Sequence, residues 1–343
     1  MKVISYTFNI GYGFVLQAFA LQKFLIFAGY SVEHLKLFMP SNNYASEQKK
    51  NIFPIFIWKP IAILKKMKYI LQNLFYYRKF FYKVNLKFTN NFAIDKDNCF
   101  IVGSDQVWNP NFIKNMERIY FLDFTDSAKK ISYAASLGMR EWPKEFEQMV
   151  LPWLKKFHAI SVREDSSAEY LRDLGLNAVC VCDPTILHEG DFYRKEFDLR
   201  SLGDKRKFVF NYFLRGAVPR IDEIENITVN FKNKKTMVSV NKWLSLIDNS
   251  VFVLTDSFHC VVFCLLFHKP FAVFQNNGEL KGMNSRFSTI LGKMNLEYRL
   301  LQGTEPEGQI LDIINREIDW RRIDEILEEW RNYSKKWLME AIR

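Results

Sequence analysis

This sequence has few cysteines and no long apolar run. These two features argue against a cysteine-based metal or redox protein and against a membrane-spanning one. Five cysteines occur among 343 residues and none forms a C-x-x-C pair, which favours buried, reduced thiols over metal or redox use. No stretch reaches about 18 uninterrupted apolar residues, so the pattern predicts no membrane-spanning helix. The chain also reaches a glycine-rich turn after a single lysine, too early for a signal peptide. We therefore expect a cytoplasmic protein.

Acidic side chains are missing from residues 48–94, in a chain whose net charge is +10. Lysines such as Lys65, Lys66 and Lys68 are interleaved there with aromatic residues such as Tyr69 and Phe80. This mixture is typical of an interfacial membrane segment. A nucleic-acid surface and a solvated basic face over an ordinary core are the alternatives. Because many large apolar residues accompany the lysines, we expect an anionic membrane surface as the partner and no nucleic acid.

The rest of the sequence alternates between strand-like and helix-like segments and predicts an α/β fold with two domains. Its hydrophobic content of 48% is enough to fill two cores. We predict strands at 3–8, 32–38, 99–102, 130–135, 159–162 and 178–182, and then at 207–214, 236–240, 251–254 and 270–274. The polar stretch 183–206 marks the junction. The predicted domains are 1–190 and 191–318, followed by a closing helix over 319–343. Residues 48–94 are an insertion in the first domain, on the side expected to meet a membrane and an acceptor molecule.

Two helix starts in the first domain carry local signals. Asn9, Gly11 and Gly13 form a turn before a helix predicted over 14–28, which resembles a mononucleotide-binding start. A full G-x-G-x-x-G is absent, so a dinucleotide is not indicated. Asp165 or Ser166 is expected to cap the helix that follows the strand at 159–162.

The segment 251–274 is the most informative part of the sequence. An apolar run at 251–254 ends in a polar turn, a helix-like segment follows over 258–267, and a second strand-like run ends at 274. This is a strand–helix–strand unit of an α/β domain. Its one imidazole, His259, falls in the first turn of the helix, where open α/β sheets bind ligands and where free N–H groups favour an anion. The pattern predicts a proton carrier beside an anion site.

A set of short motifs resembles one known family. The motifs are NIGYGFVLQAFALQ (9–22), GSDQVWNP (103–110), ISYAASLG (131–138), SVREDSS (161–167), DPT (183–185), TDSFHC (255–260), KPF (269–271) and NSRFSTIL (284–291). Each motif is weak alone, but their shared order is fairly specific. Together they resemble the polysaccharide pyruvyl transferase family over nearly the whole chain, with 48–94 covered least.

The resemblance implies two Rossmann-like domains facing a cleft, similar to the GT-B glycosyltransferase architecture. It implies phosphoenolpyruvate as donor and co-substrate, and a sugar as acceptor. The product would be a cyclic pyruvate ketal on a precursor of capsule, exopolysaccharide or cell-wall glycan. Such acceptors are often lipid-diphosphate-linked, which would place the enzyme peripherally at the inner face of the cell membrane. We expect no further cofactor and no metal, since no His/Asp/Glu cluster has metal-ligand spacing.

Donor binding requires cationic and N–H groups, because phosphoenolpyruvate carries a phosphate and a carboxylate. Arg163 follows the strand at 159–162, Arg215 follows the strand at 207–214, and Arg286 opens a helix. For each arginine the alternative is a surface charge or a structural salt bridge. Ser257 and Phe258, beside the histidine, are assigned to the same donor site. Many family members place an arginine where this chain has Ser257, so the site departs from the family at that position.

Ketal formation must protonate the methylene carbon of the donor and help phosphate to leave. Histidine is the side chain that titrates near neutral pH when unperturbed. We predict that His259 is the catalytic residue, although an isolated histidine is more often structural. The other four histidines lack a comparable setting.

Acceptor binding is assigned to the polar loop after the strand at 99–102. Asp105 and Gln106 are expected to contact sugar hydroxyls, and Trp108 to stack on a sugar face. The alternative is that Asp105 caps a helix and Trp108 belongs to the core. Asn9 and Tyr12 are further candidates to line the same cleft.

Two other functions remain open. A glycosyltransferase of similar fold that uses a nucleotide sugar is the first, because fold alone does not fix chemistry. An inactive glycan-binding relative is the second, and Ser257 in place of arginine is the only hint of it.

Overall fold

The computed structural model describes residues 1–4, 11–35, 84, 86–89, 99–203, 206–215, 219, 221–222, 224–230, 236–276 and 278–343. These residues form two parallel sheets with helices around them. The last strand of the first sheet ends at Cys180, and the first strand of the second begins at Phe208. Two parallel-sheet α/β domains, as the resemblance implied, are therefore observed.

The first sheet has seven strands. They are β1 (Lys2–Ile4), β2 (Glu33–Leu35), β3 (Phe88–Thr89), β4 (Cys99–Val102), β5 (Lys129–Ala135), β6 (Ala159–Val162) and β7 (Ala178–Cys180). Their spatial order is β3-β2-β1-β4-β5-β6-β7, and every neighbouring pair is parallel. β4 is the apolar run CFIV, and its last three residues are buried, as expected for a strand covered on both faces.

The second sheet has five strands. They are β8 (Phe208–Tyr212), β9 (Glu225–Thr228), β10 (Phe252–Thr255), β11 (Phe271–Phe274) and β12 (Leu300–Leu301). Their spatial order is β12-β11-β10-β8-β9, again all parallel. Every residue of β8, β10 and β11 is buried, as expected for parallel strands covered on both faces.

Ten α-helices cover the two sheets in the part of the chain that the structure describes. They are α1 (Tyr12–Phe27), α2 (Glu117–Tyr120), α3 (Lys144–Leu154), α4 (Asp165–Asp173), α5 (Gly190–Glu196), α6 (Val240–Asn249), α7 (Phe258–Leu266), α8 (Ser285–Met294), α9 (Glu307–Asn315) and α10 (Trp320–Ile342). Helix α1 packs against α7 of the other domain, and the largest apolar cluster includes residues from both domains. Helix α10 returns to pack on β5 of the first sheet.

Two local predictions were wrong. Residues 236–240 do not form a strand: Val240 begins α6, and β9 takes the place beside β8. Neither Asp165 nor Ser166 caps α4, because Glu164 occupies the N-cap position and makes no side-chain cap bond. Instead, the Asp165 N–H donates to Thr289 Oγ1 of α8, a contact between the domains that local sequence does not reveal.

The basic aromatic segment 48–94 lies outside the described residues, apart from residues 84 and 86–89. Within the described chain, no helix combines the length and the apolar content needed to cross a membrane. All five cysteines are unpaired, and Cys182, Cys260 and Cys264 are buried.

Candidate functional site

The candidate site lies where the carboxyl edges of the two sheets face each other. The strand order of the first sheet reverses between β1 and β4, and that of the second between β8 and β10. Parallel α/β sheets bind ligands at such switch points. Asp105 follows β4, Arg215 follows β8, and His259 follows β10. The topology thus brings three of the predicted site residues to these two edges.

Helix α7 holds His259 in its first turn. The residues from Phe258 to Leu266 are all buried, so the helix is fixed by packing around its whole circumference. Ser257 is its N-cap residue, with extended backbone and no side-chain cap bond, and its own N–H donates to Thr255 Oγ1. The first turn of α7 therefore starts without a side-chain oxygen on its N–H groups, which suits an anionic ligand.

Asp183 of the first domain faces His259 of the second. His259 Nε2 lies 3.4 Å from Asp183 Oδ2, an ion-pair distance rather than a well-aligned hydrogen bond. Arg163 Nη1 donates to the same oxygen at 3.0 Å. One carboxylate oxygen is thus shared by a guanidinium from its own domain and an imidazole from the other.

Further donors fix the Asp183 carboxylate. Ser104 Oγ donates to Oδ2 at 2.8 Å, and Thr185 donates to Oδ1 through both its N–H (3.0 Å) and its hydroxyl (2.6 Å). Burial alone would raise the pKa of Asp183, but His259, Arg163 and Thr185 together hold that pKa well below its usual range. Asp183 is therefore an ionised, rigid partner for His259 at neutral pH.

Arg163 lies at the centre of a ring of carboxylates. Its Nη2 is 3.7 Å from Asp105 Oδ1 and its Nε is 3.6 Å from Glu164 Oε1, in addition to the bond to Asp183. The ring of Phe258 lies 4.4 Å from the guanidinium carbon. Burial opposes the charge of Arg163, yet the three carboxylates raise its pKa. Phe258 thus supports Arg163 from across the domain boundary, as a cation–π contact.

Arg286, in the first turn of α8, is also buried, with 6% of its surface exposed. Among the described residues, its Nε and Nη2 have no hydrogen-bond partner. Burial, followed by the charge of Arg163, lowers the pKa of Arg286 to about 10. Arg215, by contrast, is exposed, and its backbone N–H is held by Asp256 Oδ2 at 2.8 Å.

Gly13, at the start of α1, touches the other nitrogen of the histidine ring. A Cβ placed on Gly13 would lie 2.1 Å from His259 Nδ1. A side chain at this position would displace the ring, so glycine is required here by close approach.

Six buried polar atoms of this site make no hydrogen bond to the residues that the structure describes. They are Asp105 Oδ2, Arg163 Nε and Nη2, His259 Nε2, and Arg286 Nε and Nη2. Buried polar groups without partners are costly and need an explanation such as a ligand or water. The cluster offers guanidinium donors, a carboxylate acceptor and an imidazole, which together suit an anionic substrate undergoing proton transfer.

Comparison with known proteins identifies the family. The family model for polysaccharide pyruvyl transferase matches residues 12–278, which include every residue of this cluster up to His259. The chain belongs to the polysaccharide pyruvyl transferase family. No curated protein matches the sequence significantly.

Solved structures agree on the architecture. UDP-N-acetylglucosamine 2-epimerase from Rickettsia bellii is 11% identical, with 100% of this chain and 95% of that chain covered and a TM-score of 0.52. The Neisseria meningitidis UDP-GlcNAc 2-epimerase, bound to UDP-GlcNAc, is 9% identical with 99% of each chain covered and a TM-score of 0.49. A UDP-glucosyltransferase from Polygonum tinctorium is 10% identical, with 99% and 97% covered and a TM-score of 0.45. The likeness to the Rickettsia bellii enzyme, over 100% of this chain and 95% of that one, supports the GT-B fold for this pyruvyl transferase family member.

The structure places the residues predicted to bind the acceptor in different surroundings. Trp108 is fully buried, its Nε1 donates to Tyr120 O and its ring stacks on Phe121. The prediction that Trp108 stacks on a sugar was wrong, and the alternative that it belongs to the core is confirmed. Asp105 stays a candidate, because it is buried beside Arg163 and adopts a left-handed backbone (φ 76°), a conformation that clusters at functional sites.

Tyr12, Gln106 and Asn9 complete the acceptor set. Tyr12 is buried, and its hydroxyl bonds to both backbone groups of Val238 in the second domain. It joins the domains, so a direct acceptor contact is not supported. Gln106 is buried against Asn109 and Met283, and Asn9 lies outside the described residues.

Asp183 is the site residue that the sequence reasoning missed. The sequence places it only in the polar stretch 183–206 that marks the domain junction, where its side chain accepts the Thr185 N–H. It also follows the strand-like run at 178–182, as Arg163 follows the adjacent strand β6. Two residues that follow neighbouring parallel strands lie at the same edge of the sheet, and this pattern could have revealed the pair of Arg163 and Asp183. Among the described residues, no group of three or more His, Cys, Asp or Glu side chains is placed to hold a metal ion, and the expected lack of a metal stays a prediction.

Proposed function

We propose that this family member transfers pyruvate from phosphoenolpyruvate to a sugar of a surface-polysaccharide precursor as a cyclic ketal. The observation that carries this proposal is the shared Asp183 oxygen, which faces Arg163 and His259 at 3.0 and 3.4 Å at the facing edges of the two sheets. The family assignment supports pyruvyl transfer. The donor and the ketal product are inferred from what the cluster can do.

Donor binding is supported by the positive potential at the start of α7. Phosphoenolpyruvate is a compact dianion or trianion and needs several hydrogen-bond donors. Phe258, the first residue of α7, contacts the Arg163 guanidinium, so the first-turn N–H groups of α7 lie near that arginine. Arg286 adds a second buried guanidinium. A nucleotide sugar would instead require a cleft for its base and ribose.

His259 supplies the proton for the donor carbon. With Nε2 facing Asp183, the proton available to substrate is the one on Nδ1, on the Gly13 side of the ring. Transfer of that proton to the methylene carbon of phosphoenolpyruvate makes a methyl group and leaves a cation-like C2. Asp183 orients the ring, and such proton transfer typically contributes 10²–10⁴-fold to rate.

The acceptor then completes the ketal in two steps. A first sugar hydroxyl attacks C2 and loses its proton, for which Asp105 Oδ2, buried and without a hydrogen bond, is the available acceptor. A second hydroxyl replaces the phosphate at C2, and its proton leaves with the phosphate as hydrogen phosphate. Asp105 then releases its proton, which returns through solvent to His259 and replaces the one given to the new methyl group. The second hydroxyl proton leaves on the phosphate, so atoms and charge balance over the cycle.

A ligand screen tests this proposal against its two alternatives. Purified protein is heated with phosphoenolpyruvate, with UDP-sugars or with no ligand, because a ligand at 100 times its Kd stabilises the folded state by about 2.7 kcal/mol. We expect a rise in Tm with phosphoenolpyruvate and none with UDP-sugars. A response to UDP-sugars alone would favour a glycosyltransferase, and no response to either would favour an inactive glycan-binding relative.

The acceptor is proposed to be lipid-diphosphate-linked and presented at an anionic membrane surface. This rests on the basic aromatic composition of residues 48–94, since each lysine near such a surface contributes about 1 kcal/mol. Sedimentation with vesicles containing anionic lipid at low salt tests it. We expect the protein in the pellet, and less of it when Lys65, Lys66 and Lys68 are changed to glutamate. Wild-type protein that stays in the supernatant would show that the segment has another role.

A further inference from the structure

Arg163 and Arg286, the two buried arginines of the site, each leave the same two guanidinium nitrogens without a hydrogen bond to a described residue, but their surroundings differ. In each, Nε and Nη2 make no hydrogen bond to any residue that the structure describes. These two nitrogens form the side-on fork that binds two oxygens of a carboxylate or phosphate at once. What each fork faces therefore decides which arginine is free to hold an anionic ligand.

The fork of Arg163 already faces protein carboxylates. Its Nε is 3.6 Å from Glu164 and its Nη2 is 3.7 Å from Asp105, while Nη1 is bonded to Asp183. Glu164, Asp183 and Asp105 all favour the charged form of this guanidinium, although burial raises the pKa of Glu164. The charge of Arg163 is therefore compensated by the protein itself. An incoming anion would meet these carboxylates as well as the arginine.

Among the described residues, the fork of Arg286 has no carboxylate at ion-pair distance. Over the described part of the chain, no carboxylate oxygen forms an ion pair with Arg286, and its guanidinium carbon lies 5.3 Å from the centre of the Phe287 ring. Burial and the nearby charge of Arg163 lower its pKa, although Asp105 and Glu164, which form no ion pair with it, favour its charged form. A buried cation that is uncompensated at contact distance is costly to keep in a folded protein.

We infer that Arg286 is the residue that holds the phosphate group of the donor, while Arg163 is balanced by the protein's own carboxylates. The phosphate is chosen over the carboxylate because it carries the larger charge, and an uncompensated guanidinium binds the group of highest charge most strongly. The same contact would stabilise phosphate as it departs. The identity of the donor rests on the proposed function, whereas the anion-binding role of Arg286 does not.

Calorimetric titration of the full chain with inorganic phosphate, phosphoenolpyruvate and pyruvate tests this inference. Arg286→Gln should weaken binding of phosphate and of phosphoenolpyruvate by about 10- to 100-fold, the usual effect of losing a charge-assisted contact. Pyruvate, which has a carboxylate but no phosphate, should bind the variant as it binds wild type. Arg321→Gln, which removes an exposed charge from α10, is the matched control and should leave all three affinities unchanged.

Thermal unfolding without ligand separates a ligand-binding arginine from a structural one. Arg286→Gln should have the same Tm as wild type or a higher one, because it removes an uncompensated buried charge. Arg163→Gln should lower the Tm, because it leaves its carboxylates facing one another. A fall in the Tm of Arg286→Gln to that of Arg163→Gln would contradict the inference.

The binding outcomes also distinguish this inference from the proposed function. Wild type that binds inorganic phosphate through Arg286, but binds phosphoenolpyruvate no more tightly, would overturn the proposed donor and keep the role of Arg286. Wild-type phosphate affinity in Arg286→Gln, loss of pyruvate rather than phosphate binding, or no phosphate binding by wild type would each overturn the role of Arg286.

Discussion

His259 Nε2 lies 3.4 Å from Oδ2 of Asp183, although the two residues belong to different domains. The imidazole is presented by the first turn of α7, and the carboxylate is fixed by Arg163, Ser104 and Thr185. Any relative movement of the domains therefore changes the environment of the histidine.

Removing the charge of Asp183 should affect both activity and stability. We expect Asp183→Asn to reduce pyruvyl transfer by about 10²-fold or more, because His259 loses the group that orients it. The free energy of unfolding at pH 7 should fall by about 3–5 kcal/mol, since a buried ion pair loses one partner. Steady-state kinetics and urea unfolding measure the two effects.

The pH dependence of that stability difference follows from the lowered pKa of Asp183. A carboxylate with a depressed folded-state pKa stabilises the protein fully above its unfolded value, 3.8, and the stabilisation is lost as pH falls toward the folded value. The gap between wild type and Asp183→Asn should thus persist from pH 7 to about 4 and narrow only below it. Asp191→Asn, which removes an exposed partner of Arg194, should show no comparable gap. A gap that closes above pH 5 would contradict the assignment of Asp183 as ionised.

A methyl group at Gly13 should disturb the histidine directly. In Gly13→Ala the new Cβ would lie 2.1 Å from His259 Nδ1, so the ring must move. We expect transfer to fall by about 10²-fold, the effect of a displacement of roughly 1 Å in a catalytic group. Gly308→Ala in α9, where a Cβ meets no atom within 4 Å, is the control and should be active. Full activity of Gly13→Ala would show that the ring position is not critical.

Two buried histidines outside the site should make the fold less stable as pH falls. Burial lowers the pKa of His188, and likewise of His34, from 6.5 to about 4. The folded state therefore favours the neutral ring, and its stabilisation is complete above pH 6.5 and lost as pH falls through about 4. For each ring the loss is on the order of 3 kcal/mol, at 1.36 kcal/mol per pKa unit.

His188→Gln isolates one of these contributions. The glutamine amide can still donate to Ala20 O, which His188 Nε2 contacts at 3.0 Å, but it does not titrate. Unfolding in urea between pH 7 and 4 should show a shallower decline for the variant than for wild type. Parallel declines would mean that His188 titrates normally in the folded protein.

The sequence predicted the framework of the site because that framework is local. Strands β4 and β6 were predicted to the residue, and α7 to within one residue at its end, since apolar runs and polar turns bound them sharply. His259 and Arg163 follow from their places after buried strands. The ligand-binding edge of a parallel sheet is readable from order along the chain.

The rest depended on contacts between distant segments. Asp183 lies 76 residues before His259 along the chain, and only the approach of the two domains joins them. Trp108 was misassigned because an aromatic residue in a polar loop looks the same whether it faces a ligand or, as here, stacks on Phe121 in the core. The difference between Arg163 and Arg286 is one of neighbouring carboxylates, which the sequence does not show.

Product analysis tests the central claim most directly. The full chain is incubated with phosphoenolpyruvate carrying ¹³C at its methylene carbon and with lipid-linked glycan precursors, and the glycans are examined by mass spectrometry and NMR. We predict a labelled methyl group in a cyclic ketal, release of one phosphate per pyruvate transferred, and loss of both in His259→Gln. A labelled ketal formed equally well by His259→Gln, or glycan modified only when a nucleotide sugar is supplied, would contradict the account.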